Sequence, residues 1–207
     1  QCRKAYGFDP LHPHHIDIFS PFGTYIGIAE FIRVSVTPTV LQSAFFLWGV
    51  IVMSILAAYA VPHPPLIIPA IGSGREQEIS ATVRAYHEIM RAAAELCPDT
   101  VVIISPHATA YDDFFHISPG AGAEGNFAAF GHPEISVGIP YDEDFVRVLS
   151  AFAGEKELPA GTLGEKHPSL DHGTMIPLFF LSEYLGDAPT KFVRIGIAGL
   201  PAHTHAL

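Results

Sequence analysis

Residues 98–107 read Pro98-Asp99-Thr100-Val101-Val102-Ile103-Ile104-Ser105-Pro106-His107. A run of β-branched apolar residues between two prolines is too short for a buried helix and predicts a buried strand that stops at Ser105-Pro106-His107. Upstream, Ile79, Val83, Tyr86, Met90, Ala93 and Leu96 recur at three-to-four spacing. That stripe predicts an amphipathic helix over about 75–96, opened by a Ser73/Glu76 capping box and closed by Pro98. Before it, Ile55 to Val61 reads as another buried strand ending at Pro62. The order around the quoted stretch is therefore strand, helix, strand.

Downstream the alternation continues. Phe114–Ser118 and Glu134–Ile139 read as strands, the second with Ile135, Val137 and Ile139 on one face. Asp142 is placed to cap a helix carrying Phe145, Val148, Leu149 and Phe152. Thr174 is placed to cap another, with Pro177 in its first turn and Gly186 at its end. Phe192–Ala198 is a last apolar strand. The expected fold is α/β, with a mixed, mostly parallel central sheet and helices on both faces.

Composition narrows the class. Of the 207 residues, 49% are hydrophobic and 15% charged, with a mean hydropathy of +0.31, which excludes a disordered chain. Lysine and arginine number 11 against 21 acidic residues, a net charge of −10, and this argues against a nucleic-acid partner. Cys2 and Cys97 form no CxxC pair, so any metal must be held by histidine and carboxylate. Histidine is abundant, with 12 residues.

Residues 1–52 differ from the rest. Arg3, Lys4 and Arg33 balance Asp9, Asp17 and Glu30, so the entire net negative charge lies in 53–207. Proline-flanked His12, His14 and His15 read as a solvated loop. Ala44–Val61 is long enough to span a bilayer, for which roughly 17–25 residues are needed, but it lacks basic flanks. Met53 would make a natural initiator. The expected organisation is an N-terminal extension without a recognisable domain over 1–52, followed by an α/β domain over 53–207 that is incomplete at its C-terminus. A cytoplasmic protein without a membrane span is expected.

In open α/β sheets ligands bind at the carboxyl ends of strands. His63 follows the first expected strand, His107 the second and His205 the last, while His172 sits in the loop feeding a helix. Each taken alone also reads as a solvated loop residue; together they predict convergence on a metal or acid/base site. His87 and His116 read as structural, and His132 and His167 remain unassigned, His167 lying close to His172. Asp112 and Asp113 read as solvated carboxylates that could reach a metal only if their loop folds back.

Four segments carry a family resemblance: Val61-Pro62-His63-Pro64-Pro65, Ser105-Pro106-His107, His116-Ile117-Ser118-Pro119-Gly120, and Leu170-Asp171-His172-Gly173-Thr174-Met175-Ile176-Pro177-Leu178. In this order they resemble the class III extradiol ring-cleavage dioxygenases, which include the catalytic subunit of protocatechuate 4,5-dioxygenase and the DOPA dioxygenases. The nearest pattern is that of bacterial proteins beside the AmmeMemoRadiSam group, which also contains the Memo proteins. The resemblance spans Met53 to Leu207. It implies a non-haem Fe(II) enzyme that inserts O2 into a catechol-type ring, with zinc as an alternative occupant.

The resemblance also assigns roles. His63 and His107 would be metal ligands and His172 an acid/base that takes and returns a proton, with Asp171 orienting or capping. In the protocatechuate type the third ligand is a glutamate beyond Leu207. In the DOPA type a Thr-His segment serves, and Thr204-His205 is similar, so His205 is the candidate third ligand. Phe127 and Phe130 would line the pocket or fill the core. The implied partners are a catecholic small molecule and O2, and the chain would be a candidate homo-oligomer. The alternatives are a Memo-like metal-binding protein of the same fold without ring cleavage, or an inactive fragment.

Overall fold

The helix read from the Ile79–Leu96 stripe forms, but later than expected. In the computed structural model, which describes residues 55–166 and 168–201, helix α2 spans Ser80–Glu95, after the short helix α1 (Pro69–Gly72) and a 3-10 turn at Arg75–Ile79. Ser73 does not open a helix; it closes α1 in a left-handed conformation, its hydroxyl donating to the Ala70 carbonyl at 3.2 Å. Glu76 accepts from the Gly74 N–H at 2.8 Å, so the box expected between Ser73 and Glu76 is displaced by one residue. Tyr86 and Met90, one turn apart, face inward. The Tyr86 ring stands 5.1 Å from that of Phe180.

The strand quoted at the outset is β1 (Thr100–Ser105), which pairs in parallel with β6 (Lys191–Gly196) from Thr100↔Lys191 to Ser105↔Gly196. Strand β2 (Phe115–His116) pairs in parallel with β5 (Ala160–Gly161), and β3 (Gly122–Phe127) pairs antiparallel with β4 (His132–Pro140). Single bridges Ile117↔Ile195 and Tyr141↔Phe192 link the other two ladders to β6. The fold is mixed α/β, and among the described residues two of three ladders pair in parallel.

Three expectations are corrected. Residues 55–61 carry no strand, and Ile55 and Leu56 are 71% and 54% exposed. Continuous apolarity records a tendency to be buried, whereas a strand also needs a ladder partner, and among the described residues none pairs with this segment. Conversely β3 forms in a glycine-rich stretch where no strand is expected. A Cβ at Gly125 would lie 2.6 Å from the Leu170 carbonyl oxygen and 2.7 Å from the Met175 sulfur, so close approach by the neighbouring chain requires glycine there. The third correction concerns helix α3 (Glu143–Glu155). Asp142 caps it as expected, accepting from the Phe145 N–H at 3.1 Å, but Val148 and Phe152 are about half exposed. Phe145 and Leu149 pack inward as expected, joined by Val146 in place of Val148 and Phe152, against Ile117 and Val193.

Alternation along β6 then sets the layers. Val193 and Ile195 point toward α3, so Phe192 and Arg194 point to the opposite face. There lies α4 (His172–Leu185), apolar on nearly every side, with seven residues fully buried. Asp171, rather than Thr174, is its N-cap, so Pro177 falls in the second turn. The chain falls into two units, Gln1–Pro62 and His63–Leu207, and all the elements above belong to the second. Most of the apolar run Ala44–Val61, and His12, His14 and His15, lie outside the described residues. Among the described residues no helix is long and apolar enough to cross a membrane.

Candidate metal centre

Three elements deliver three imidazoles to one place. His63 precedes Pro64 and the 3-10 turn Pro65–Ile67, His107 lies two residues beyond β1, and His172 is the first residue of α4. The Nε2 atoms of His63 and His107 are 3.0 Å apart, and the rings of His107 and His172 are 4.1 Å apart between centroids. One donor atom from each of the three lies within 4.8 Å of the others. The prolines beside His63 and before His107 restrict the backbone that aims them.

The seat of His172 is built from hydrogen bonds. The Asp171 carboxylate accepts from the Ser105 hydroxyl at 2.6 Å, the Thr174 N–H at 3.0 Å and the Thr174 hydroxyl at 2.8 Å. Ser105 in turn accepts the His107 N–H at 3.2 Å. One serine at the end of β1 thus ties together the segments carrying His107 and His172. Gly173 makes the approach feasible: a Cβ there would meet Ser105 Oγ at 2.7 Å and His107 Cδ2 at 3.1 Å. The Asp-His-Gly order therefore has a steric reason as well as a chemical one. On the far side of the carboxylate, the Arg194 guanidinium from β6 lies 3.1 Å away.

The electrostatics favour neutral imidazoles. Burial, reinforced by the neighbouring His107, lowers the pKa of His63, and Asp171 only partly opposes the shift. Burial, with His107 and His63 beside it, lowers that of His172 in the same way. Position at the positive end of α4 also disfavours a second charge on His172. For Asp171, burial pushes the pKa upward, but hydrogen bonds from Ser105 and Thr174 and the charge of Arg194 outweigh it and hold the carboxyl below its ordinary value. A carboxylate thus stands beside two imidazoles, His63 and His172, that their surroundings bias toward the neutral form.

These residues fit a metal ion. Two imidazole nitrogens facing each other at 3.0 Å require either a proton or a shared cation between their lone pairs. Nitrogens held about 2.0–2.1 Å from one divalent ion stand roughly 3–3.5 Å apart. No carboxylate belongs to the cluster among the described residues, where Asp112 and Asp113 are exposed. His205, the candidate third ligand, and Thr204 lie outside the described residues, as does His167.

The other described histidines, His87, His116 and His132, are accounted for by local structure. His116 is buried and its Nε2–H donates to the Glu165 carbonyl at 3.0 Å. His87 is structural as read: its Nδ1 lies 2.8 Å from the Tyr184 hydroxyl and its ring stands edge-on to Phe180. His132 pairs with Glu134 at 2.8 Å. Of the two candidate pocket aromatics, Phe127 is fully buried, whereas the Phe130 ring stands 5.6 Å from that of His172. Reading the sequence for function misses Ser105, Gly173 and Arg194. Arg194 did leave a signal, a lone cation inside the apolar strand Phe192-Val193-Arg194-Ile195.

Comparison with known proteins places the chain in a family. Protein CA_C1420 of Clostridium acetobutylicum is 28% identical over 155 residues, which is 72% of this chain and 33% of that protein. The chain thus spans about a third of the length of the curated relative it matches. The family model of the catalytic LigB subunit of aromatic ring-opening dioxygenase matches residues 57–206, a span that includes His63, His107, His172 and His205. The match covers most of the chain, and the chain belongs to this family of the class III extradiol dioxygenase superfamily.

Proposed function

We propose that this chain carries the metal-binding and proton-handling core of a non-haem Fe(II) extradiol dioxygenase that inserts O2 into a catechol-type ring and opens it. The observation that supports this most directly is the meeting of His63, His107 and His172 at the carboxyl end of β1 in a chain of the LigB family. His63 and His107 would hold the ion, with His205 as the proposed third ligand. A ferrous ion bound there supplies open coordination positions for two adjacent ring oxygens and O2, and eases loss of a hydroxyl proton.

The residues of the chain do the rest. His172, kept neutral by burial and by its neighbouring imidazoles, accepts the hydroxyl proton and returns it as the ring opens. Asp171 holds the start of α4, and with it the His172 backbone, against Ser105. Phe130 offers an apolar wall beside His172 on which an aromatic ring can lie. The net charge of −10 supports a small-molecule substrate over a nucleic acid.

A second reading has its own support. The same spacing of 4.8 Å would let all three imidazoles bind one ion, iron or zinc, leaving no free base and giving a metal-binding protein without ring cleavage. One experiment separates the two. The chain is loaded anaerobically with Fe(II), and O2 uptake and a yellow ring-opened product are followed with a set of catechols, alongside H63A and H172A. Under the first reading H63A loses metal, while H172A keeps it and loses turnover. Metal loss in both variants, with no O2 uptake by the parent chain, establishes the second.

A further inference from the structure

We propose that Arg194 is a positioning residue for the histidine cluster: from the middle of β6 it clamps the Pro168–Asp171 segment and so fixes the seat of His172 relative to His107. This rests on the reading that the three histidines form the working site. Arg194 is 2% exposed. Its guanidinium donates to the Ser169 carbonyl at 2.9 Å, lies 3.4 Å from the Pro168 carbonyl, and meets Asp171 at 3.1 Å. Its Nε has no hydrogen-bond partner among the described residues.

The choice of residue is informative. A buried ion pair is on average no more stabilising than apolar side chains of the same size, so packing alone would be served equally well by methionine at 194. What an apolar residue cannot do is engage two loop carbonyls and a carboxylate at once through a rigid planar fork. The described residues between β5 and α4 belong to no helix or strand. The Leu170 N–H, donating to the Glu124 carbonyl of β3 at 3.1 Å, ties the segment to the sheet without fixing its angle, yet the segment must deliver His172 to within a ring's width of His107. Arg194 adds directional bonds on the Pro168–Ser169 side and to Asp171, and Asp171 passes the constraint through Ser105 to His107. Removing the fork would leave the loop attached but its angle unspecified.

The test uses the full chain with R194M and R194K. Thermal unfolding establishes that each variant folds, zinc affinity is read by competition with a chromophoric chelator, and the imidazole nitrogen–proton spectrum of the metal-free protein reports ring environment. Both variants are expected to bind zinc about 10- to 100-fold more weakly, with the His172 and His107 signals shifted or broadened and those of His87 and His132 unchanged. R194K retains the charge without the fork, so it should recover most of the thermal stability but not the zinc affinity. Wild-type zinc affinity and unmoved His172 signals in a folded variant would overturn the proposal, as would affinity returning in step with stability in R194K. If R194M does not fold, R194K carries the same decision. If the parent chain binds no zinc, the metal reading fails separately, and the metal-free imidazole spectra decide the role of Arg194.

Discussion

The two faces of β6 are built on different principles. Toward α3, Val193 and Ile195 meet Ile117, Val146, Phe145 and Leu149, all apolar. Toward α4, the next residue along, Arg194, is equally buried yet meets a carboxylate and two carbonyls. Apolar burial is non-directional and tolerates small shifts, whereas a charged hydrogen-bond network collapses when one member is lost but fixes angles while intact. The histidine cluster stands on the second face. Stability and site geometry are therefore separable here, residue by residue along one strand.

Asp171→Ala should test that separation most severely. It leaves Arg194 buried without its counter-charge and removes the cap of α4, and the expected loss is about 3–5 kcal/mol by urea denaturation; a loss under about 1 kcal/mol would show that the polar face is not interdependent. Ser105→Ala removes a hydrogen bond to a charged group, worth about 1.5–3 kcal/mol. It should also weaken metal binding, because His107 and Asp171 both lean on that hydroxyl.

Acidification sharpens the contrast next. His63 and His172 have pKa values lowered first by burial, then by neighbouring imidazoles, and burial lowers that of His116 too. As pH falls below the ordinary histidine value of 6.5, the unfolded chain takes up protons before the folded one, so stability declines. Above that pH these groups contribute no slope. Asp171, held below its ordinary value of 3.8, should keep its contribution until the pH falls further. Replacing His63 and His172 with Asn should flatten the decline between pH 7 and 5 in the urea midpoint, leaving the part due to His116. An unchanged slope would mean that the cluster is not desolvated.

Smaller effects belong to the apolar face. Ile117→Val should cost about 0.5–1.5 kcal/mol and leave zinc affinity unaltered; a change in affinity would join the two faces. Val148→Thr, on the exposed side of α3, should fall within about 0.5 kcal/mol.

Much of the site was legible because strand ends and helix starts leave local marks. A proline-bounded apolar run predicts where β1 stops and hence where His107 stands, and Asp-His-Gly marks the start of α4, though Asp171 and not Thr174 proved to be its cap. Other features left weak or misleading marks. The stripe on α3 had two overlapping helical phases, and only the contacts of Ile117 and Val193 selected the one through Val146. Residues 55–61 have the composition of a strand without a pairing partner, and β3 is a strand despite its glycines because Leu170 and Met175 press against Gly125.

The sequence alone determined the α/β class and the family motifs, and pointed to four converging histidines, of which His63, His107 and His172 meet while His205 lies outside the described residues. Each of these follows from residues close together in the chain. Tertiary structure alone decided what aims them. Ser105, Asp171 and Arg194 come from β1, the start of α4 and β6, and no local periodicity records that they touch. Their hydrogen bonds are effective only when all three are buried together. A lone serine or arginine in a sequence carries no sign of the partner that will desolvate it.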